Sequence, residues 1–254
     1  MTRLSDMSGE ELQQVLDVVS GADSVELKLT LVETKRAGVA QALGIDPLDA
    51  QLRQVFFLDT KDLALNEAGV VVRARRRQGE KGDTVVKIRP VDPAEISDNL
   101  RADKRFGVEV DAMPGGYVCS ASYKGSADNE EIKQVAAGER SARKLFSKRQ
   151  RAFFADHAAN GPALEDLQVL GPIPTLRVKF QSKGFKHPIV GELWLYPDGS
   201  QVVELSTKTS PSEAFQTAVE WRAFLESKGV DVSGEQQTKT KTALEFFAKR
   251  ATAT

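Results

Sequence analysis

Charged and apolar residues alternate along several segments of the chain, and this alternation constrains the fold more than any other feature. Glu26 and Lys28 alternate with valine and leucine, and Arg73 lies between valine and alanine. Because successive side chains of a strand point to opposite faces, the pattern predicts strands with one apolar and one charged face. Strands are predicted at residues 25–31, 51–58, 70–77, 84–89, 105–111, 175–181, 190–196 and 201–208, and at least six of them have such faces.

The charged faces indicate how these strands assemble. An open antiparallel sheet with one face in water explains any single strand. Solvated faces are usually rich in Thr, Ser and Gln, however, whereas these carry mainly Arg, Lys and Glu. The signs are also grouped, with paired cations on three strands and carboxylates on the first strand, the fifth and the last pair. A barrel of roughly eight strands, with apolar residues outward beneath helices and charges inward, accounts for the whole set.

Helical patterns fall between and after the predicted strands. Ser8 and Glu11 form a capping box for a helix to about residue 19, and Ser210 with Pro211 begins a helix that ends at Gly229. Further helical patterns occur at residues 35–43, 127–157 and 241–250. We therefore predict an α+β fold, an antiparallel eight-stranded β-barrel (a tunnel) with surrounding helices. It would form a single domain over residues 1–254, with a helical insert at about 127–158 and a C-terminal helical segment at about 210–250.

The overall charge balance limits the classes of partner. The chain has 35 basic and 36 acidic residues, which argues against a general nucleic-acid binder or a membrane-surface binder. Cys119 is the only cysteine, so neither a disulfide framework nor a cysteine metal site is expected. The first residues lack the apolar core of a signal peptide, and no segment approaches a transmembrane run, so we predict a cytoplasmic protein.

Like charges crowded inside a barrel indicate a charged ligand. Such an interior is stable only when it binds a counter-charge or is well hydrated. An anion with several negative groups in a row suits the arginines and lysines, because guanidinium groups match phosphate oxygens. Carboxylates in the same interior would repel phosphate unless a hard cation such as Mg²⁺ or Mn²⁺ bridges the two.

Several of these segments resemble the CYTH domain of the triphosphate tunnel metalloenzyme superfamily. The resemblance spans residues 25 to 247, in the order and spacing of short motifs. These are Val25-Glu26-Leu27-Lys28, Phe57-Leu58-Asp59-Thr60, Val72-Arg73-Ala74-Arg75, Val86-Lys87-Ile88-Arg89, Leu176-Arg177-Val178-Lys179, Val203-Glu204-Leu205 and Thr238-Lys239.

The resemblance implies an eight-stranded antiparallel tunnel that binds triphosphate compounds with a divalent metal, Mg²⁺ or Mn²⁺. Members of the family hydrolyse inorganic, thiamine or nucleoside triphosphates, and some cyclise ATP. It implies catalytic roles for Glu26, Glu204 and Lys28, and metal ligands at Glu26 and Glu204 with Glu192, Glu109 and Asp111. It implies phosphate ligands at Lys28, Arg73, Arg75, Lys87, Arg89, Arg177, Lys179 and Lys239.

The chain departs from the family pattern at two acidic positions. The first strand of the family carries Glu-x-Glu-x-Lys, and Ser24 stands at the first glutamate. Ser206 follows Glu204 where a second acid is usual. Fewer carboxylates would weaken metal binding or leave one metal in place of two.

Three functions remain open from the sequence. The first is a metal-dependent triphosphatase acting on inorganic triphosphate or an organic triphosphate. The second is a non-catalytic polyphosphate or nucleotide binder, and the third is an adenylate cyclase of the same family. A small-molecule partner is expected, with no nucleic acid and no membrane, and the oligomeric state is undetermined. Cys119 is expected to be an inert thiol, while Trp194 and Tyr196 could stack on a ring or pack in the core.

Overall fold

Nine strands close into a barrel within residues 8–31, 38–158, 161–232, 239, 242–244 and 246–247, the part of the chain that this computed structural model describes. Around the barrel the strands follow the order β1-β5-β6-β4-β3-β2-β7-β8-β9. Their bounds are β1 (Ser24–Leu31), β2 (Gln51–Asp59), β3 (Val70–Arg77), β4 (Glu80–Ile88), β5 (Phe106–Met113), β6 (Gly116–Ala127), β7 (Gln168–Phe180), β8 (Ile189–Leu195) and β9 (Gln201–Thr209).

The α+β barrel predicted from the sequence is confirmed, but the strand number and one pairing differ from the prediction. The additional strand is β6, whose two glycines and three serines conceal any apolar alternation. β1 also pairs in parallel with β5, so the barrel is mixed rather than antiparallel. The reason is that β5 takes its direction from the hairpin with β6, while β1 enters between β5 and β9 to close the ring.

Seven helices have complete bounds within the described residues, and they match the predicted patterns in part. They are α1 (Gly9–Ser20), α2 (Val39–Leu43), α3 (Ala64–Glu67), α4 (Asp98–Arg101), α5 (Asn129–Ala136), α6 (Lys148–His157) and α7 (Ala214–Ser227). The capping box of Ser8 and Glu11 is present at α1. The pattern at 127–157 divides into α5, a 3₁₀ turn and α6, because Gly138 adopts a left-handed conformation (φ 76°) after α5.

Two predicted helices extend beyond the described residues. For the helix predicted at 35–43, residues 35–37 lie outside the described part, and α2 begins at Val39. For the helix predicted at 241–250, only residues 242–244 and 246–247 are described, and these are helical. No described helix has both the length and the apolar character needed to cross a membrane.

The outer surface of the barrel is covered by two apolar clusters. Val72, Val86 and Tyr123 face outward and pack with side chains of α5 and α6, including Ile132 and Phe153. On another side Leu29 and Leu205 pack against Trp221 and Phe224 of α7. Because the apolar faces of the strands are used under the helices, the alternate residues must point into the barrel.

Part of the barrel interior is also apolar, which the sequence analysis did not predict. Val55 and Phe57 follow Arg53 at alternate positions of β2, so the three side chains share the inner face. There they form an inner apolar cluster, in which Phe57 stacks on Trp194 with ring centroids 6.4 Å apart. The members of this cluster are Val55, Phe57, Leu63, Val71, Ile173, Trp194, Tyr196, Ala243 and Leu244. The charged cavity therefore occupies only the remainder of the interior.

Gly69 allows β3 to approach the end of β4. It has a left-handed φ of 75°, and a Cβ atom there would lie 2.0 Å from the backbone oxygen of Arg89. The backbone N–H of Arg89 donates to the oxygen of Gly69 at 2.9 Å. This contact fixes the backbone of Arg89, whose side chain lines the interior.

Substituting Gly69→Ala is expected to lower the free energy of unfolding by at least about 3 kcal/mol, because left-handed strain and a backbone clash combine. Gly79→Ala is the matched control, since Gly79 also has a left-handed φ (73°) but nothing lies within 4 Å of its Cβ position. The control should lose only about 1–2 kcal/mol. Equal losses in urea unfolding of the two variants would contradict the close approach.

Candidate functional site

A cavity of about 670 Å³ lies inside the barrel, and charged side chains dominate its wall. Among the described residues, twelve cationic and six acidic side chains line it. The cations are Lys28, Arg53, Arg73, Arg75, Arg77, Lys87, Arg89, Lys124, Arg177, Lys179, Lys208 and Lys239, and the acids are Glu26, Glu80, Glu109, Asp111, Glu192 and Glu204. Every residue that the sequence analysis assigned to the site lines this interior cavity, while the roles assigned to them remain predictions.

Four lining cations were missing from the sequence-based set, namely Arg53, Arg77, Lys124 and Lys208. Arg53 was missed because its strand reads as apolar after Val55, although the period of two from Phe57 points to it. Lys124 lies on β6, the strand that was not predicted. Lys208 lies two residues beyond Ser206 on the same face of β9, and that spacing could have identified it.

An acidic cluster forms where β1 and β5 pair in parallel. One carboxylate oxygen each from Glu26, Glu109 and Asp111 lies within 4.8 Å of the others. The register places Asp111 opposite Glu26 and Glu109 opposite Ser24. The Oγ of Ser24 donates a hydrogen bond to Glu109 at 3.3 Å. Glu109 therefore supplies a carboxylate beside the position where β1 carries serine.

Lysines neutralise this acidic cluster. The Nζ atom of Lys28 lies 2.8 Å from Asp111 Oδ1 and 3.2 Å from Glu26 Oε2. Lys87 Nζ lies 3.0 Å from Asp111 Oδ2, and Lys208 forms an ion pair with Glu109. Burial raises the pKa of the Asp111 carboxyl, but Lys28 and Lys87 lower it more, so this pKa lies well below its ordinary value. Asp111 is therefore ionised at neutral pH.

A second pair of carboxylates lies on β8 and β9, of which β9 pairs with β1. Glu192 and Glu204 are opposite each other in the register of these strands. Lys239 Nζ lies 2.7 Å from Glu204 Oε1 and also contacts Glu192. Trp194 Nε1 donates to Glu192 Oε2 at 3.2 Å. Burial raises the pKa of Glu192, but Lys239 overcomes this effect and the pKa lies well below its usual range.

The arginines of β3 differ in whether a carboxylate pairs with them. Arg75 makes a two-pronged contact with Asp83, with N–O distances of 2.9 to 3.2 Å. Arg77 lies 2.6 Å from Glu80. Arg73 has no ion pair among the described residues, and its buried Nε atom lacks a hydrogen-bond partner there. Burial, and then the charge of Arg75, lower the pKa of Arg73 to about 10, which leaves it protonated at neutral pH.

Further cations lack ion-pair partners within the described part of the chain. Arg89 is one, and burial lowers its pKa. Lys124 and Lys179 are exposed to solvent while they also line the cavity. Together with Arg73 these groups offer donors that no described carboxylate accepts. Such donors can bind the oxygens of an anion that enters the cavity.

Other residues considered from the sequence have packing roles. Trp194 and Tyr196 are 2% and 4% exposed within the inner apolar cluster, so they pack and do not present a free ring face on the cavity wall. Cys119 is buried, and burial raises the pKa of its thiol to about 11, which is consistent with an inert thiol.

Comparison with solved structures identifies proteins of similar fold. A candidate adenylate cyclase from Bacillus halodurans superimposes with a TM-score of 0.59 at 14% identity, covering 87% of this chain and 97% of that chain. A candidate adenylyl cyclase from Hippeastrum that has a dominant triphosphatase activity gives 0.62 at 18% identity, covering 87% and 95%. No protein-family model and no curated protein matches the sequence. The similarity establishes a shared barrel fold.

Substituting Asp111→Asn should lower the free energy of unfolding at pH 7 by roughly 3 kcal/mol, because Lys28 and Lys87 lose their shared buried partner. The depressed pKa of Asp111 stabilises the fold above the unfolded-state pKa of about 4, and this contribution is lost as the pH falls below that value. The difference between wild type and variant should therefore shrink by about 1 kcal/mol at pH 3. Urea unfolding at both pH values measures it.

Asp156→Asn is the control for this experiment, because Asp156 is exposed on α6. It should change the stability by less than about 0.5 kcal/mol at either pH. If the free energies of unfolding of wild type and Asp111→Asn differed by the same amount at pH 7 and pH 3, the ion pairs of Asp111 would not be the source of this stability.

Proposed function

We propose that this chain hydrolyses a triphosphate compound inside the barrel, in a reaction that depends on Mg²⁺ or Mn²⁺. The observation that carries the proposal is the interior cavity itself, which is lined both by an acidic cluster and by donors such as Arg73 Nε, an atom without a partner among the described residues. An anion with several phosphoryl groups satisfies these donors, and the acidic cluster suits a hard divalent cation. The fold shared with a protein of dominant triphosphatase activity supports the same conclusion.

In this proposal the cations of the cavity hold the phosphoryl oxygens. Arg73 and Arg89 require no exchange of partners, because they have no ion pair among the described residues. Lys179 is exposed to solvent and lines the cavity, so it can contact an anion that is still partly hydrated. Lys28, Arg75, Lys87 and Arg177 would exchange a carboxylate contact for a phosphate contact. Lys239 would donate to phosphate while it keeps its contacts with Glu192 and Glu204.

The acidic cluster fits a divalent cation by the chemistry of its donors. Carboxylate oxygens are the ligands that Mg²⁺ and Mn²⁺ prefer, and one or two carboxylates with phosphate oxygens commonly suffice. Glu26, Glu109 and Asp111 would hold the ion, and their oxygens already converge. When bound, the ion would neutralise phosphate charge and polarise the phosphoryl group.

The side chains of the cavity can then promote attack by water. The oxygen of a water molecule bonds to the terminal phosphorus while the bridging P–O bond breaks, giving phosphate and diphosphate. A carboxylate oxygen of Glu26 accepts a hydrogen bond from this water and orients it, and the proton passes to solvent. Lys28 and Arg73 donate to the oxygens on which negative charge accumulates. A catalytic role for Glu204 stays a prediction from the sequence.

The wall of the cavity favours an inorganic triphosphate over a nucleotide. Among the described lining residues none is aromatic, and the apolar ones are Val71, Val85, Pro188 and Val190. Stacking on an aromatic side chain is worth about 1–3 kcal/mol per base, so a nucleotide would gain little from this wall. Adenylate cyclase activity, which must place the ribose and adenine of ATP, is less well supported for the same reason.

One observation favours a second candidate function, binding without turnover. Each carboxylate of the acidic cluster already contacts a lysine, so a divalent cation must displace or share these contacts. A chain that kept the cationic wall and lost metal affinity would bind polyphosphate as a sensor. The measurement of phosphate release separates the two functions.

Purified protein is expected to release phosphate from tripolyphosphate with Mg²⁺ or Mn²⁺, and Arg73→Met should lower kcat by about 10²–10³-fold through lost charge stabilisation. Lys186→Met is the control, because Lys186 lies outside the cavity in an exposed ion pair with Glu213. The control should retain wild-type rates. Colorimetric phosphate assays with several triphosphates and metals measure the effect.

Two results would contradict this proposal. Tight binding of tripolyphosphate in calorimetry, with no phosphate released under any metal, would support the non-catalytic binder. Cyclic AMP formed from ATP would support a cyclase.

A further inference from the structure

Lys239 occupies the space between two buried carboxylates that a metal would otherwise share. Its Nζ atom lies 2.7 Å from Glu204 Oε1 and contacts Glu192 Oε2 as well. The side chains of Glu192 and Glu204 are 11% and 4% exposed, and that of Lys239 is 16% exposed. One ammonium group therefore contacts two carboxylates away from bulk water.

The segment that carries Lys239 is packed in place. Tyr196 donates its hydroxyl to the backbone oxygen of Lys239 at 3.2 Å. Ala243 and Leu244, which follow in the same segment, are 0% and 2% exposed within the inner apolar cluster. The ammonium group also lies 5.4 Å from the centre of the Trp194 ring, at a distance typical of a cation–π contact. Moving Lys239 out of the cavity would disturb these contacts.

The surroundings of Glu192 disfavour the binding of a divalent metal ion. Arg177 Nε lies 3.6 Å from Glu192 Oε1, and Trp194 Nε1 donates to Oε2. A divalent ion such as Mg²⁺ needs carboxylate oxygens at about 2.0–2.1 Å, and the ammonium group stands where those bonds would form. Entry of the ion would leave Lys239 buried without a partner beside a new positive charge.

The acidic cluster differs from the pair of Glu192 and Glu204 because one of the lysines that contact it is exposed to solvent. Lys208, which pairs with Glu109, has a side chain that is 53% exposed, so it can turn into solvent at little cost. The cluster also contributes three converging carboxylates, against two for the pair on β8 and β9. A divalent cation that enters there can displace Lys208 into solvent and share Glu26 and Asp111 with Lys28 and Lys87, without displacing a packed segment.

We propose that Lys239 is the resident cation of Glu192 and Glu204, so that this pair binds no divalent metal and the chain holds a single metal at the acidic cluster. The inference rests on the proposed function only for the identity of that single site. It reassigns Glu192 and Glu204, which the sequence pattern had grouped with the metal ligands, to holding a lysine. Lys239 thereby takes the place of a second metal.

Mn²⁺ binding to the protein without any triphosphate tests the inference, with free Mn²⁺ measured by electron paramagnetic resonance. Wild type should bind about one Mn²⁺ per chain, and Glu26→Gln should lose it. Glu204→Gln should leave the wild-type stoichiometry unchanged. Lys239→Met should bind about two, and adding Glu204→Gln to it should restore about one.

The control is Lys186→Met, which breaks an exposed ion pair with Glu213 and should keep the wild-type stoichiometry. A wild type that binds two ions and loses one in Glu204→Gln would overturn the inference, as would a folded Lys239→Met that gains none. If Lys239→Met does not fold by circular dichroism, Glu204→Gln alone decides.

The measured Mn²⁺ stoichiometry does not depend on whether the protein hydrolyses triphosphate, because no substrate is present. Suppose that wild type binds no Mn²⁺, that Lys239→Met binds one ion, and that the double variant Lys239→Met, Glu204→Gln binds none. This outcome would support the role of Lys239. The same result would refute the acidic cluster as the metal site of the proposed function.

Discussion

The structure depends on placing many ionised groups inside a barrel without leaving them uncompensated. Removing a carboxylate or an ammonium group from water costs several kcal/mol, and the cost is recovered only by close partners and hydrogen bonds. The acids of the interior cavity meet this requirement, because Asp111, Glu192 and Glu204 each contact a lysine. The cations exceed the acids on the wall, and Arg73 lacks a described partner. This surplus positive charge is the physical reason to expect an anionic ligand.

The same constraint explains the division of the interior. The inner apolar cluster fills the part of the barrel where Phe57 and Trp194 meet, and it removes that part from water. The charges are thus confined to a cavity of about 670 Å³, which is small enough for each to act on its neighbours. Lys239 joins the two regions, since its backbone oxygen accepts from Tyr196 and its ammonium group reaches Glu204.

Much of the site could be predicted because strand side chains alternate with a period of two. That rule places Glu26 and Lys28 on one face whatever the partner strands are, and both line the interior cavity. It fails where the alternation is weak, as in β6, whose serines and glycines gave no signal and concealed Lys124. Which strands pair, and in which register, cannot be read from the alternation of side chains. The parallel register that sets Glu109 beside Ser24 depends on contacts between residues 85 apart in sequence, which no local pattern encodes.

Under the proposed function, a metal ion at Glu26, Glu109 and Asp111 and the guanidinium group of Arg73 bind the same triphosphate. The most direct test is a crystal structure with tripolyphosphate and Mn²⁺, using the anomalous signal of manganese to locate the ion. The account predicts one anomalous peak bounded by the acidic cluster, with the tripolyphosphate inside the barrel and in contact with Arg73. A peak between Glu192 and Glu204, or a tripolyphosphate bound outside the barrel, would contradict it.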